Sequence, residues 1–96
     1  MSDEQIRVAL VDDQELVRSG FAMVIDSQPD MRTVLEASHG QQALDRLNLV
    51  AADVVLMDIR MPGMDGLEAT ERIAARDFPH GVVPKVIILT TFDLDE

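Results

Sequence analysis

Residues 6–13 read IRVALVDD, a predominantly apolar run, Ile6–Val11 (IRVALV), that stops at two adjacent carboxylates, Asp12 and Asp13. A short run rich in Val and Leu, without alternation of polar residues, is the pattern of a strand buried on both faces, as in parallel sheets. Two further runs repeat it: residues 54–57 (VVLM), followed by Asp58, and residues 86–89 (VIIL), followed by Thr90 and Thr91. Residues 33–37 (TVLEA) are more mixed, because Glu36 interrupts them, and read as an edge strand. Between the strands, helical spacing places Leu16, Val17, Phe21, Val24 and Ile25 on one face, then Ala43, Leu44 and Leu47, then Leu67, Thr70, Ile73 and Ala74. The alternation strand-helix-strand predicts right-handed crossovers and a doubly wound parallel α/β sheet. Residues 78–81 (FPHG) with Pro84 form a loop.

Possible capping residues followed three positions later by Glu or Gln announce helix starts at Asp12/Glu15, Ser38/Gln41 and Asp65/Glu68, and again at Asp93/Glu96. The strands begin near 6, 33, 53 and 85, an interval of some 26 residues. One more unit would need roughly 20–25 residues. The apolar run 86–89 suits a central strand rather than an edge. The sequence is therefore expected to end before a fifth strand and the last helices. On that reading the open edge at residues 86–89 is also a place for self-association.

Composition narrows the function. The chain of 96 residues has 18 acids against 8 strong bases, a net charge of −10, and 47% apolar residues. That balance supports a buried core, but argues against this segment gripping nucleic acid or an anionic membrane by itself. Zero cysteines exclude disulfides, thiolate metal sites and a Cys nucleophile, and fit a reducing cytoplasm. No apolar run approaches the ~18 residues of a membrane span. Neither G-x-G-x-x-G nor G-x-x-x-x-G-K occurs, so dinucleotide and P-loop sites are disfavoured.

In open parallel sheets, ligands bind beyond the carboxyl ends of the strands. Asp12, Asp13, Asp58, Thr90 and Thr91 all fall there. Each has an ordinary reading: the acid pair as a helix cap, Asp58 as a turn residue, Thr90 as a β-branched strand residue. Together they say more. At ~4 Å two carboxylates repel by about 4 kcal/mol at an effective dielectric near 20. A fold that gathers three needs a cation or a proton among them. The donor set is all oxygen, which selects Mg²⁺ or Mn²⁺ over zinc. Phosphoryl transfer follows as the chemistry, with Asp58 as nucleophile, Asp12 and Asp13 holding the metal, and Thr90 donating its hydroxyl to a phosphoryl oxygen.

The segments VALVDDQELVR (8–18), VVLMDIRMPGMDGLEA (54–69) and VIILTTFDLDE (86–96) resemble the receiver domain of bacterial two-component response regulators over essentially the whole chain. The wording LTTFDLDE is similar to the NarL/FixJ subfamily, whose receivers precede a LuxR-type DNA-binding domain. The resemblance implies a flavodoxin-like sheet of order 2-1-3-4, with a fifth strand beyond it. It implies that Asp58 accepts a phosphoryl group from a sensor histidine kinase or a small phosphodonor. Asp12, Asp13, Asp58 and the backbone carbonyl of Arg60 would bind Mg²⁺. Thr90, with Thr91 beside it, would contact the phosphoryl group as the switch hydroxyl. Pro62 and Gly66 would shape the loop behind the acceptor, and Arg60 and Phe92 would flank the pocket and modulate phosphoryl lifetime. Family receivers also carry a lysine at the end of the fifth strand. The single lysine here, Lys85, stands at the amino end of strand four and cannot substitute. DNA binding would belong to an effector domain absent from the chain.

Two other functions compete. An aspartyl-phosphate phosphatase places its nucleophile after the first strand with a second Asp two positions on, whereas position 14 is Gln. A non-phosphorylated interaction module would keep only the fold. His39 and His80 are expected in loops without metal partners, and the six methionines read mostly as packing residues.

Overall fold

The computed structural model describes residues 4–61 and 63–89. Four parallel strands, β1 (Ile6–Val11), β2 (Met31–Ala37), β3 (Val54–Asp58) and β4 (Lys85–Leu89), alternate with three helices, α1 (Glu15–Asp26), α2 (Gly40–Leu49) and α3 (Gly66–Ala75). The sheet order is β2-β1-β3-β4, as expected, with every neighbouring pair parallel. Because every crossover is a helix, all strands point the same way and their carboxyl ends share one rim.

The sheet separates two apolar layers. On one face Ala9, Val11, Val55 and Met57 pack with Leu44, Leu47, Ala69 and Ile73 of α2 and α3. On the other, Val8 and Leu10 pack with Ile25 of α1 and, partly buried, Leu56. Alternate residues of β1 thus serve opposite layers, which is why the run is apolar throughout. Truncating a fully buried Leu44 or Leu47 would cost about 2–5 kcal/mol.

β2 explains its mixed sequence. The β1–β2 register runs Val8↔Thr33 and then Ala9↔Leu35, so Val34 is an extra, bulged residue. Val34 packs against the same layer as Leu35.

Some local expectations are corrected. The α2 face is as predicted, but in α1 only Ile25 is buried, while Leu16, Phe21 and Val24 remain exposed. In α3 the buried face is Gly66, Ala69 and Ile73, and Leu67 and Ala74 lie outside it. The small residues win because α3 lies close to the sheet. Of the predicted caps among the described residues, only Asp65 behaves as expected, accepting from the Glu68 N–H at 2.8 Å. At α1 the N-cap position is Gln14, which makes no side-chain cap bond, and α2 is capped by His39, whose Nδ1 accepts from the Gln42 N–H at 3.2 Å. His80 fastens the loop before β4 to α2: its Nε2 lies 2.6 Å from the Leu47 carbonyl, and its ring stacks on Phe78. β4 is an edge of the described sheet, and Ile87 is 51% exposed.

The amino ends of the strands are tied by a pair that no sequence pattern announces. The Arg7 guanidinium donates to both carboxylate oxygens of Asp53 at 3.0 and 2.9 Å, and the Arg7 N–H adds a third bond at 2.8 Å. These bonds hold the Asp53 carboxyl down to about 2, from an ordinary 3.8. A carboxyl lowered by folding stabilises the fold above its unfolded value, and that contribution is lost as pH falls through the folded value. Asp53→Asn is therefore expected to lower the thermal midpoint at pH 7. It should also remove the part of the acid-induced loss that falls between about pH 4 and pH 2. Thermal unfolding followed across that range checks both.

Candidate functional site

The chain leaves β1 at Val11, and Asp12 still continues the ladder, its N–H donating to the Ala37 carbonyl of β2 at 3.0 Å. Asp12 Oδ1 then accepts from the Gln14 N–H at 2.8 Å, turning the backbone into α1. Asp58 is the last residue of β3, the neighbour of β1, and so arrives at the same rim. Asp12, Asp13 and Asp58 each offer a carboxylate oxygen within 4.8 Å of the others. Asp12 and Asp58 are buried, at 7% and 5% exposure, while Asp13 faces solvent. Arg60 lies on the exposed loop after β3, and its N–H donates to Asp58 Oδ1 at 3.3 Å. Lys85 stands at the amino end of β4, away from this rim. Thr90, Thr91, Phe92 and Pro62, and the cap pair Asp93/Glu96, lie outside the described residues.

The loop behind Asp58 depends on two glycines for different reasons. Gly63 has φ +76°, a conformation that side chains rarely adopt. Gly66 opens α3 so close to the strand end that an added Cβ would sit 2.4 Å from the Asp58 carbonyl oxygen. Its N–H donates to the Ile59 carbonyl at 3.2 Å. The glycine therefore lets α3 start against the main chain that carries the carboxylate.

Burial pushes the Asp58 carboxyl above its ordinary value, opposed by the Arg60 N–H and reinforced by the charges of Asp12 and Asp13. Two buried carboxylates beside an exposed one, all oxygen and convergent, fit a hard divalent ion such as Mg²⁺. Neither histidine belongs to this group among the described residues. A cavity of about 520 Å³ opens at the opposite end of the sheet, lined by Gln5, Arg7, Arg32 and Asp53, where Arg7 and Asp53 already satisfy each other.

A family model described as the response regulator receiver domain matches residues 8–96. The chain belongs to that family. The transcriptional regulatory protein LiaR of Bacillus subtilis is 44% identical over 91 residues, covering 95% of this chain and 41% of LiaR. The receiver domain of a putative response regulator NarL from Mycobacterium tuberculosis superposes with a TM-score of 0.81 at 29% identity, over 96% of this chain and 71% of that one. CheY6 of R. sphaeroides, solved in complex with the P1 domain of CheA3, gives 0.77 at 32% identity, over 95% and 67%. The receiver thus resembles those of NarL/LuxR-type regulators. It spans about two fifths of the length of the curated relatives. No described helix is long and apolar enough to cross a membrane.

Sequence reasoning missed Arg18, which sits in α1 with its side chain only 16% exposed. A single arginine in a helix carries no signal for what it touches six residues back and eighteen residues ahead.

Two outcomes follow from the site's geometry. In cation-free buffer at pH 7, Asp58→Asn is expected to raise the thermal midpoint, because folding opposes ionisation of Asp58. The gain should vanish below about pH 4, where the unfolded chain is also protonated. Gly66→Ala is expected to destabilise the receiver by about 1–3 kcal/mol through overpacking against the Asp58 backbone. Chemical denaturation at neutral pH measures that cost.

Proposed function

We propose that this receiver accepts a phosphoryl group on Asp58 from the phosphohistidine of a sensor histidine kinase. The observation that carries the reading is the convergence of Asp12, Asp13 and Asp58 within 4.8 Å at the carboxyl rim of the sheet. A carboxylate oxygen of Asp58 forms the new bond to phosphorus as the phosphorus–nitrogen bond breaks, and the electron pair leaves with the donor imidazole. Asp12, Asp13, Asp58 and the Arg60 carbonyl would hold the divalent cation, Mg²⁺ or Mn²⁺. When bound, that ion neutralises charge developing on the phosphoryl oxygens. Asp12 is aimed by its bond from the Gln14 N–H, and Asp58 by its bond from the Arg60 N–H. The family resemblance assigns Thr90, with Thr91 beside it in sequence, to the contact with the transferred group, and Pro62, Arg60 and Phe92 to the flank of the site; of these only Arg60 is among the described residues. Leu16, exposed at the start of α1 shortly after the acid pair, offers apolar surface for the donor domain.

On this reading the protein acts in the cytoplasm as a phosphorelay component rather than as an enzyme with its own small-molecule substrate. Its phosphorylation controls a LuxR-type DNA-binding effector, in keeping with relatives described as transcriptional regulators. Residues 1–96 form the receiver part of that regulator. β4, an edge of the described sheet, offers an apolar strand for pairing with a second copy.

Incubation with Mg²⁺ and an acyl phosphate, read by intact mass, tests the reading. One phosphoryl group should be gained, and none with Asp58→Asn or with the cation chelated. Label that persists in Asp58→Asn would refute Asp58 as the acceptor. Repeated turnover of a phosphoester would point to a phosphatase instead.

A further inference from the structure

Asp12 and Asp13 are adjacent, and in an extended strand adjacent side chains point to opposite faces. Bringing both carboxylates towards Asp58 requires the peptide between them to turn out of the strand geometry. The carbonyl of that peptide, Asp12 C=O, then needs another partner, because a buried backbone acceptor without one is costly. Arg18 supplies it: Nη1 donates to the Asp12 carbonyl at 2.7 Å. The same guanidinium is held from its other side, Nε donating to Glu36 Oε1 of β2 at 3.0 Å. Glu36 is anchored in turn, since its backbone carbonyl accepts from Arg46 of α2. With the Asp12 N–H on Ala37 and its carboxylate on Gln14, the carbonyl bond completes the fixing of the acid pair.

We propose that Arg18 is a positioning residue for the cation site, setting the Asp12–Asp13 peptide, with Glu36 setting Arg18. The inference rests on the reading of the acid cluster as a Mg²⁺ site. Charge alone predicts the opposite effect. A cation beside the site repels Mg²⁺, so deleting Arg18 should tighten binding if the residue acts only through its field. If Arg18 orients the ligands, its loss weakens binding, as loss of partners that orient metal ligands does, by about 10–100-fold.

The experiment is calorimetric titration of Mg²⁺, with Mn²⁺ paramagnetic resonance as a second readout, on the 96-residue chain, its Arg18→Gln, Arg18→Lys and Glu36→Gln variants. Unfolding in chelator is measured alongside, so that affinities are compared only for folded protein. Arg18→Gln is expected to weaken Mg²⁺ binding at least tenfold. Arg18→Lys keeps the charge but cannot serve both partners through the planar fork, and should fall between it and the unaltered chain. Unchanged or tighter binding in Arg18→Gln overturns the proposal, and if that variant does not fold, unchanged affinity in Arg18→Lys does so. An unaltered chain that binds no Mg²⁺ refutes the cation-site reading itself, and the proposal with it.

Discussion

Mutual repulsion of three carboxylates is the constraint around which this receiver is organised. Asp12, Asp13 and Asp58 arrive from two adjacent parallel strands at one rim, two of them buried, and burial together with the charges of Asp12 and Asp13 raises the cost of ionising Asp58. Nothing in such a cluster holds itself together. It persists because the groups are delivered by main chain that is fixed elsewhere: β1 and β3 are paired along Val8↔Val54 to Val11↔Met57, and apolar layers cover both faces. The sheet spends hydrophobic stability on keeping a polar centre poised.

The two ends of the sheet divide the labour. At the amino end, Arg7 and Asp53 form a closed, mutually satisfied pair, and Asp53 is driven towards ionisation. At the carboxyl end, Asp58 is driven the other way. The difference is partnership: one carboxylate meets a bidentate guanidinium, and the other meets like charge and burial. β3 follows Asp53 and ends at Asp58, so one short strand separates the ion-paired anchor from the acid cluster.

Much of this was legible in the residues. Strands buried on both faces announce themselves by composition, and in a parallel sheet that settles which rim collects the strand-end acids. The order β2-β1-β3-β4 and the grouping of Asp12, Asp13 and Asp58 agree with that reading. The face of α1 did not, because apolar spacing shows that a helix has an apolar side but not how much of it the sheet covers. The Arg7–Asp53 pair spans 46 residues and follows no local period, so it becomes visible only once β1 and β3 are neighbours. Arg18 was hidden for the same reason: one of its partners is a main-chain carbonyl, which no side-chain pattern encodes. His39 showed that a residue dismissed as a loop histidine can close a helix, using Nδ1 as acceptor.

The contact between Gly66 and the Asp58 carbonyl has a mechanical consequence. With no side chain between them, the first turn of α3 rests on the main chain of Asp58, and the Gly66 N–H is bonded to the next carbonyl, that of Ile59. A backbone shift at the strand end has no slack to absorb it and must be passed to the helix. The start of α3 is therefore coupled directly to the backbone of Asp58, and the exposed Leu67, Glu68 and Glu71 are carried on the helix so coupled.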